Sequence, residues 1–177
     1  MNTGQIMITI FALILLVTIT TNFYTIVGST GDDISNGQDD ILATAVSASW
    51  AQMAQGLAYD NVTDTSDIAF QNPSALTPSA ALGVEAGENK DSVATFNDFD
   101  DFNGAVLQKP AGSSSRIFTT RFAVSYVDPG NINASVPVRT FVKRMDLVTW
   151  RSYPPPHAGE MIDTLRTSIV FGYFNFN

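Results

Sequence analysis

The chain has 177 residues, no cysteine and a formal charge of −8. That length holds one soluble domain plus a membrane segment, and the missing thiols exclude disulfide staples and thiolate metal sites. Residues 1–89 carry nine Asp/Glu and no Lys or Arg, whereas residues 90–177 carry eight Asp/Glu and all nine Lys/Arg. No basic patch forms, so nucleic acid is not an expected partner.

Ile6–Val27 (IMITIFALILLVTITTNFYTIV) is an uncharged run of 22 residues. As a helix it is ~33 Å long, enough to cross a bilayer core. It lacks the basic flank and the short apolar core of a secretory signal, so a retained anchor is expected. Gly28–Gly37 (GSTGDDISNG) follows with three glycines, each costing ~1 kcal/mol against alanine inside a helix. This predicts a break, a kink or a locally unwound stretch over 28–37, with Ser35 or Asn36 capping the next helical stretch; a continuous but weakened helix is preferred to a plain loop between a membrane span and a soluble domain. Gln38–Tyr59 then reads as an amphipathic helix, with Leu42, Val46, Ser49, Trp50, Met53 and Leu57 at helical spacing. Residues 1–59 are therefore expected to form one long, interrupted helix: apolar over 6–27, broken at 28–37 and amphipathic over 38–59.

Residues 60–177 read as a globular head. Asp60–Lys90 is loop-like, with Pro73, Pro78 and scattered Ser, Thr and Asp. Asn97–Gly104 (NDFDDFNG) is an aromatic-acidic turn. Three period-two stretches come after it. In Arg116–Val127, Phe118, Thr120, Phe122, Val124 and Tyr126 share a face. In Val138–Trp150, Phe141, Met145 and Leu147 lie beside Lys143. In Met161–Phe176, Leu165, Thr167, Ile169, Phe171 and Tyr173 align. Asp128–Pro129–Gly130–Asn131 is a turn signal, and the prolines of Tyr153–Gly159 end the second strand. The expected fold class is α+β. A long N-terminal transmembrane-type helix has its second half covering an antiparallel β-meander, since a sheet's apolar face must be buried against something.

The residues offer little catalytic chemistry. The lone His157 sits in a proline-rich turn, and no nucleophile–base pair, phosphate-cradling loop or H-E-x-x-H stands out. Asp98, Asp100 and Asp101 are a weak candidate for Ca²⁺, which takes oxygen ligands. The EF-hand pattern fails there, because Phe99 stands where the first ligand belongs. The preferred reading is a structural turn in which Phe96, Phe99 and Phe102 pack inward, with no metal and no cofactor. Asn61–Thr63 and Asn133–Ser135 match the glycosylation sequon by pattern. The aromatic tail Phe171, Tyr173, Phe174 and Phe176 reads as a core strand, or as a contact to a neighbouring subunit.

This architecture resembles the type IV pilin and pseudopilin superfamily. Gly4, Gln5 and the apolar residues after them resemble a prepilin cleavage site. NDFDDFNG, SYVDP and FVKRMDLVTW are similar to minor pseudopilins. The chain departs from the family in two ways. Its leader, MNTG, has no basic residue, and the fifth mature position carries Thr9 after cleavage at Gly4, or Gln5 without it, in place of glutamate.

The resemblance implies a non-enzymatic structural subunit of a pilus-like extracellular filament, assembled through the hydrophobic helix. Its partners would be identical subunits, the inner membrane before assembly, and a pilus or secretion assembly machinery. The alternatives are a minor pseudopilin of a secretion machine and a single-pass anchored binding domain that never polymerises. Without the glutamate, registry between copies is expected to rest on shape packing and on polar bonds from Gln5, Thr9 and Thr18. The charge asymmetry suggests a second contact, from the acidic Asp32–Asp40 region to Lys143, Arg144 or Arg151 of a neighbour.

Overall fold

A computed structural model describes residues 3–65, 72–112, 115–156 and 163–173. It is an α+β fold: a long apolar N-terminal helix and a five-stranded antiparallel sheet. Helix α1 spans Thr3–Gln55. By contacts the chain divides into two compact units, Met1–Asp39 and Asp40–Asn177, so the boundary falls inside α1 rather than at the end of the helix.

In the first unit, residues 3–31 are exposed on every face of the helix. Thr9, Thr18, Thr20, Thr21, Thr25 and Thr30 each turn the hydroxyl back to a carbonyl four residues earlier, at 2.7–3.0 Å. Side chains that are polar by composition thereby present mainly methyl groups outward. Of the readings of Gly28–Gly37, the continuous helix is the one found: α1 is helical through all ten residues, with no break or loop. Ser35 and Asn36 accordingly lie inside the helix rather than at the start of a second one. Three glycines weaken a helix by ~3 kcal/mol in all, which long flanking helical segments outweigh, since propagation adds a hydrogen bond per residue while nucleation is already made.

In the second unit, Ala43, Val46, Ser47, Trp50 and Ala54 are the buried stripe of α1. Val46 and Trp50 match the expected stripe. Leu42, Ser49 and Leu57 are only half-buried, and Met53 stays exposed. The contact line runs through the small residues Ala43, Ser47 and Ala54, which let the helix backbone approach the sheet closely. Ser47 Oγ meets Thr149 Oγ1 at 2.8 Å, and Thr149 Oγ1 meets Thr120 Oγ1 at 2.9 Å, so the buried hydroxyls satisfy one another.

A short helix α2 (Asn61–Thr65) follows. The strands are β1 (Val106–Pro110), β2 (Ile117–Asp128), β3 (Asn131–Ser135), β4 (Val142–Tyr153) and β5 (Thr164–Gly172). The sheet order is β1-β2-β4-β5, all antiparallel, with β3 paired to the end of β2. The sequence reading finds β2, β4 and β5 with the correct inward faces, and misses β1 and β3. Those two are five residues each, too short for alternation to register. The Asp128–Asn131 turn does make a hairpin, but to β3, whereas the expected second strand begins only at Val142.

The core joins α1 to the sheet's inner face. Trp50 meets Phe122 edge-on at 5.8 Å, Phe122 meets Phe102 at 5.1 Å, and Phe102 meets Phe96 at 5.0 Å. Phe96, Phe99 and Phe102 are buried, as the structural-turn reading expects.

Candidate functional site

Two features lie outside ordinary core formation, one in each unit. The first is the exposed apolar helix. It is long and apolar enough to cross a membrane, by length and composition. Gly4 and Gln5 lie within its first turns. Thr9 Oγ1 donates to Gln5 O at 2.7 Å and approaches Ile6 O at 3.0 Å, and Thr18 Oγ1 donates to Ile14 O at 2.9 Å. The hydroxyl protons of both threonines are thus used within their own helix, leaving their lone pairs for a neighbour.

The second feature is a buried set of carboxylates around Lys143. Alternation along β4 places Lys143 on the apolar side of the sheet, on the same face as Met145 and Leu147, and it is fully buried. Its Nζ donates to Asp60 Oδ2 at 2.9 Å, to Tyr59 O at 2.8 Å and to Asp100 Oδ1. It also lies 4.5 Å from the Tyr59 ring centroid, a cation–π contact. Asp60 is held further by the Thr77 amide (3.0 Å to Oδ2), the Thr77 hydroxyl (3.0 Å to Oδ1) and the Val62 amide (3.3 Å to Oδ1). Tyr126 donates its hydroxyl proton to Thr77 O at 2.7 Å, and its oxygen lies 3.3 Å from Asp60 Oδ2.

The residues of NDFDDFNG are positioned by the segment that follows α1. Phe99 N donates to Ala58 O at 2.9 Å, and Ala58 N to Asn97 O at 3.3 Å. Asp100–Phe102 then makes one 3-10 turn, and Gly104 leaves it with φ 76°, a conformation that disfavours a Cβ. Asn103 ties this turn to its surroundings. Its Nδ2 donates to Leu82 O and its Oδ1 accepts from Val124 N, both at 2.9 Å.

Within the turn each aspartate commits one oxygen. Asp98 Oδ1 accepts from the amides of Asp100 (2.8 Å) and Asp101 (3.3 Å). Asp101 Oδ2 accepts from the amides of Asn97 (2.8 Å) and Asp98 (3.0 Å). Asp98 Oδ2, Asp100 Oδ2 and Asp101 Oδ1 are buried and receive no hydrogen bond from the described residues, and neither does Glu85 Oε2. These carboxylates converge. One oxygen from each of Glu85, Asp98 and Asp100 falls within a 4.8 Å group, and so does one from each of Glu85, Glu88 and Asp101.

The electrostatics follow from burial and crowding. Burial, with the neighbouring Asp100 and Asp101 charges, pushes the Asp98 carboxyl up to about 9. Burial and the Glu88 side chain push Glu85 up to about 8. Burial raises Asp101 to about 6 against its two amide bonds, and raises Asp100 despite Lys143. Asp60 goes the other way. Burial opposes its charge, but the Lys143 ammonium and the amide bonds outweigh that and hold its carboxyl below the ordinary range.

Sequence reasoning singles out Asp98, Asp100 and Asp101, and the structure brings them together. It misses Glu85, Glu88 and Asp60, which are distant in sequence. The signal that finds them is Lys143, a lysine on the inward face of a core strand, which demands buried counter-charge. Burial of Lys143 also corrects the expected contact between its charge and a neighbour's acidic segment. Arg151 is buried too, and Arg144 is held by Asp146 at 3.1 Å and by the carbonyls of Ile132 and Asn133. His157, Phe174 and Phe176 lie outside the described residues. Compared with protein-family models, with curated proteins and with solved structures, the chain matches none.

Proposed function

We propose that the chain is a non-enzymatic structural subunit of a pilus-like extracellular filament. Its N-terminal helix anchors it in the inner membrane before assembly and packs among identical copies afterwards. The observation that carries this reading is the exposure of residues 3–31 on all helix faces. Met7, Phe11 and Tyr24 each show 71% of their surface, and large apolar side chains continue outward to Val27. Each such side chain left in water forfeits ~1.5–3 kcal/mol. A helix apolar all round requires lipid or other helices about it. The head, residues 40–177, has its own packed core and needs no help from this segment, so the apolar helix is left over for anchoring and assembly.

The test is imaging of material sheared from cells that make the full chain. Thin filaments that carry the chain as their main component are the expected result. A chain found only in the membrane fraction, with no sheared filament, would overturn the reading.

A further inference from the structure

We propose that Glu85, Asp98, Asp100 and Asp101, with Glu88 beside them, form a Ca²⁺ site that fastens the 82–88 loop to the NDFDDFNG turn. Three observations carry it. Asp98, Asp100 and Asp101 are fully buried, yet each leaves one carboxylate oxygen without a donor, as does Glu85. Buried polar atoms in folded proteins are almost always bonded, so four orphans on neighbouring carboxylates mark a missing partner. Secondly, one carboxylate oxygen from each of Glu85, Asp98 and Asp100 lies close to the other two, and the same holds for Glu85, Glu88 and Asp101, so that two groups share Glu85. Oxygens this close together can reach one ion with bonds of about 2.3–2.6 Å. Thirdly, the other oxygens of Asp98, Asp100 and Asp101 are pinned by backbone amides or by Lys143, which fixes the free ones in place. Such pinning is what supports metal ligands in built sites.

Charge and donor type select the ion. Asp60 and the five carboxylates of the two groups face a single ammonium, Lys143, among the described residues of this cluster. A divalent cation redresses that imbalance where water is excluded. All-oxygen, all-carboxylate donors suit a hard ion rather than zinc or copper. Mg²⁺ holds several of its waters and demands octahedral geometry, whereas Ca²⁺ accepts irregular carboxylate cages. Lys143 does not compete for the site, because it occupies Asp100 Oδ1 and leaves Oδ2 free.

The ion would tie together segments that are already joined by the Asn103–Leu82 hydrogen bond. It thereby sets the stability of the head, independently of whether the chain polymerises.

The experiment uses the full chain in detergent micelles, stripped with EGTA and returned to chelator-free buffer. CaCl₂ is titrated calorimetrically, with MgCl₂ in parallel, and thermal unfolding is followed with each. One Ca²⁺ per chain with Kd between ~10⁻⁶ and ~10⁻³ M is expected, with a raised unfolding temperature and a much weaker response to Mg²⁺. Glu85→Gln tests the same site without touching the amide bonds of the turn. It should weaken Ca²⁺ binding by at least about tenfold and abolish the thermal shift. Asp101→Asn, which retains a carbonyl acceptor for the Asn97 and Asp98 amides, should do likewise. No heat and no thermal shift up to ~10 mM CaCl₂, well beyond the weakest protein sites, would overturn the proposal. So would undiminished affinity in Glu85→Gln, since protons rather than a metal would then balance the carboxylates.

Discussion

Lys143 Nζ sits 2.9 Å from Asp60 Oδ2, and both side chains are fully buried. The pair links β4 to the segment just after α1, so it orders the chain where helix gives way to head. A buried ion pair adds little net stability over an apolar pair of the same shape, but removing one partner leaves an uncompensated charge. Lys143→Met should therefore lower the unfolding free energy by ~3–5 kcal/mol. Urea unfolding of the full chain in micelles, followed by tryptophan fluorescence, measures it. An unchanged midpoint would mean that the carboxylates are already neutralised by something other than Lys143.

Asp60 also predicts an acid limb. Its folded carboxyl is held below the ordinary value, so its charge contributes stability that is fully present above the unfolded pKa of ~3.9. That contribution is lost as pH falls through the lower folded value. Lys143, Asp100, Tyr59 and Tyr126 face it from the surrounding elements. The stability difference between the parent chain and Asp60→Asn should be constant above pH ~5 and shrink steadily below pH ~4. A difference that grows on acidification would refute the assignment.

Trp50 is the anchor of α1 on the sheet. It is buried, packs edge-on against Phe122 and lies under Lys109 Nζ at 4.8 Å. Its Nε1 finds no acceptor among the described residues, so Trp50→Phe loses area without losing a hydrogen bond and should be mild. Trp50→Ala should cost ~3–5 kcal/mol through the cavity. Trp50→Asp should be worse still, because it adds an unpaired charge to the same interface. Thermal melts of the three variants should rank in that order. Equal melts for Asp and Phe would show that the helix does not bear on the sheet through this residue.

The fold class and the inward faces of the long strands were legible because they follow from periodicity: period two over twelve residues of β2 and of β4, and an uncharged run that no soluble core needs. The two five-residue strands were not, since local pattern is too brief there and pairing with β2 decides them. The glycine segment was legible only as a choice between a weakened continuous helix and a break. Propensity sums only local costs, and at Gly28, Gly31 and Gly37 nothing packs within 4 Å of a Cβ position, so no tertiary contact forces the helix open. The acidic turn was half legible. Its aspartates are adjacent, but Glu85 and Lys143 reach it only through tertiary folding.

The continuous helix sharpens what the glycines predict. Alanine at Gly28 and Gly31 meets no neighbouring atom, so Gly28→Ala with Gly31→Ala should leave the isolated chain folded and its helix stiffer by ~1 kcal/mol per site. If filaments require this segment to unwind on assembly, the double variant should show unaltered circular dichroism in micelles and a reduced filament yield. Full yield would show that the segment enters the filament as the helix seen here.

The last prediction concerns what holds the proposed filament together. Residues 3–31 expose apolar surface on all sides, while the head buries its own core. Each large apolar side chain is worth ~1.5–3 kcal/mol when taken out of water, so contacts among several copies of this helix outweigh anything the polar head surface offers. The exposed charges are ill suited to the task. Lys143 and Arg151 are buried and Arg144 is engaged within its own chain, and surface pairs contribute at most ~1 kcal/mol each. A chain lacking residues 1–31 should therefore keep its thermal unfolding transition, since the contacts of residues 40–177 are intact, and remain monomeric by light scattering where the full chain assembles. Electron microscopy of both, at matched concentration and without detergent, reads the outcome. If the truncated chain forms the same fibres, the helix is an anchor alone and the filament contact lies on the head. If the full chain stays monomeric once detergent is removed, the filament reading itself is overturned.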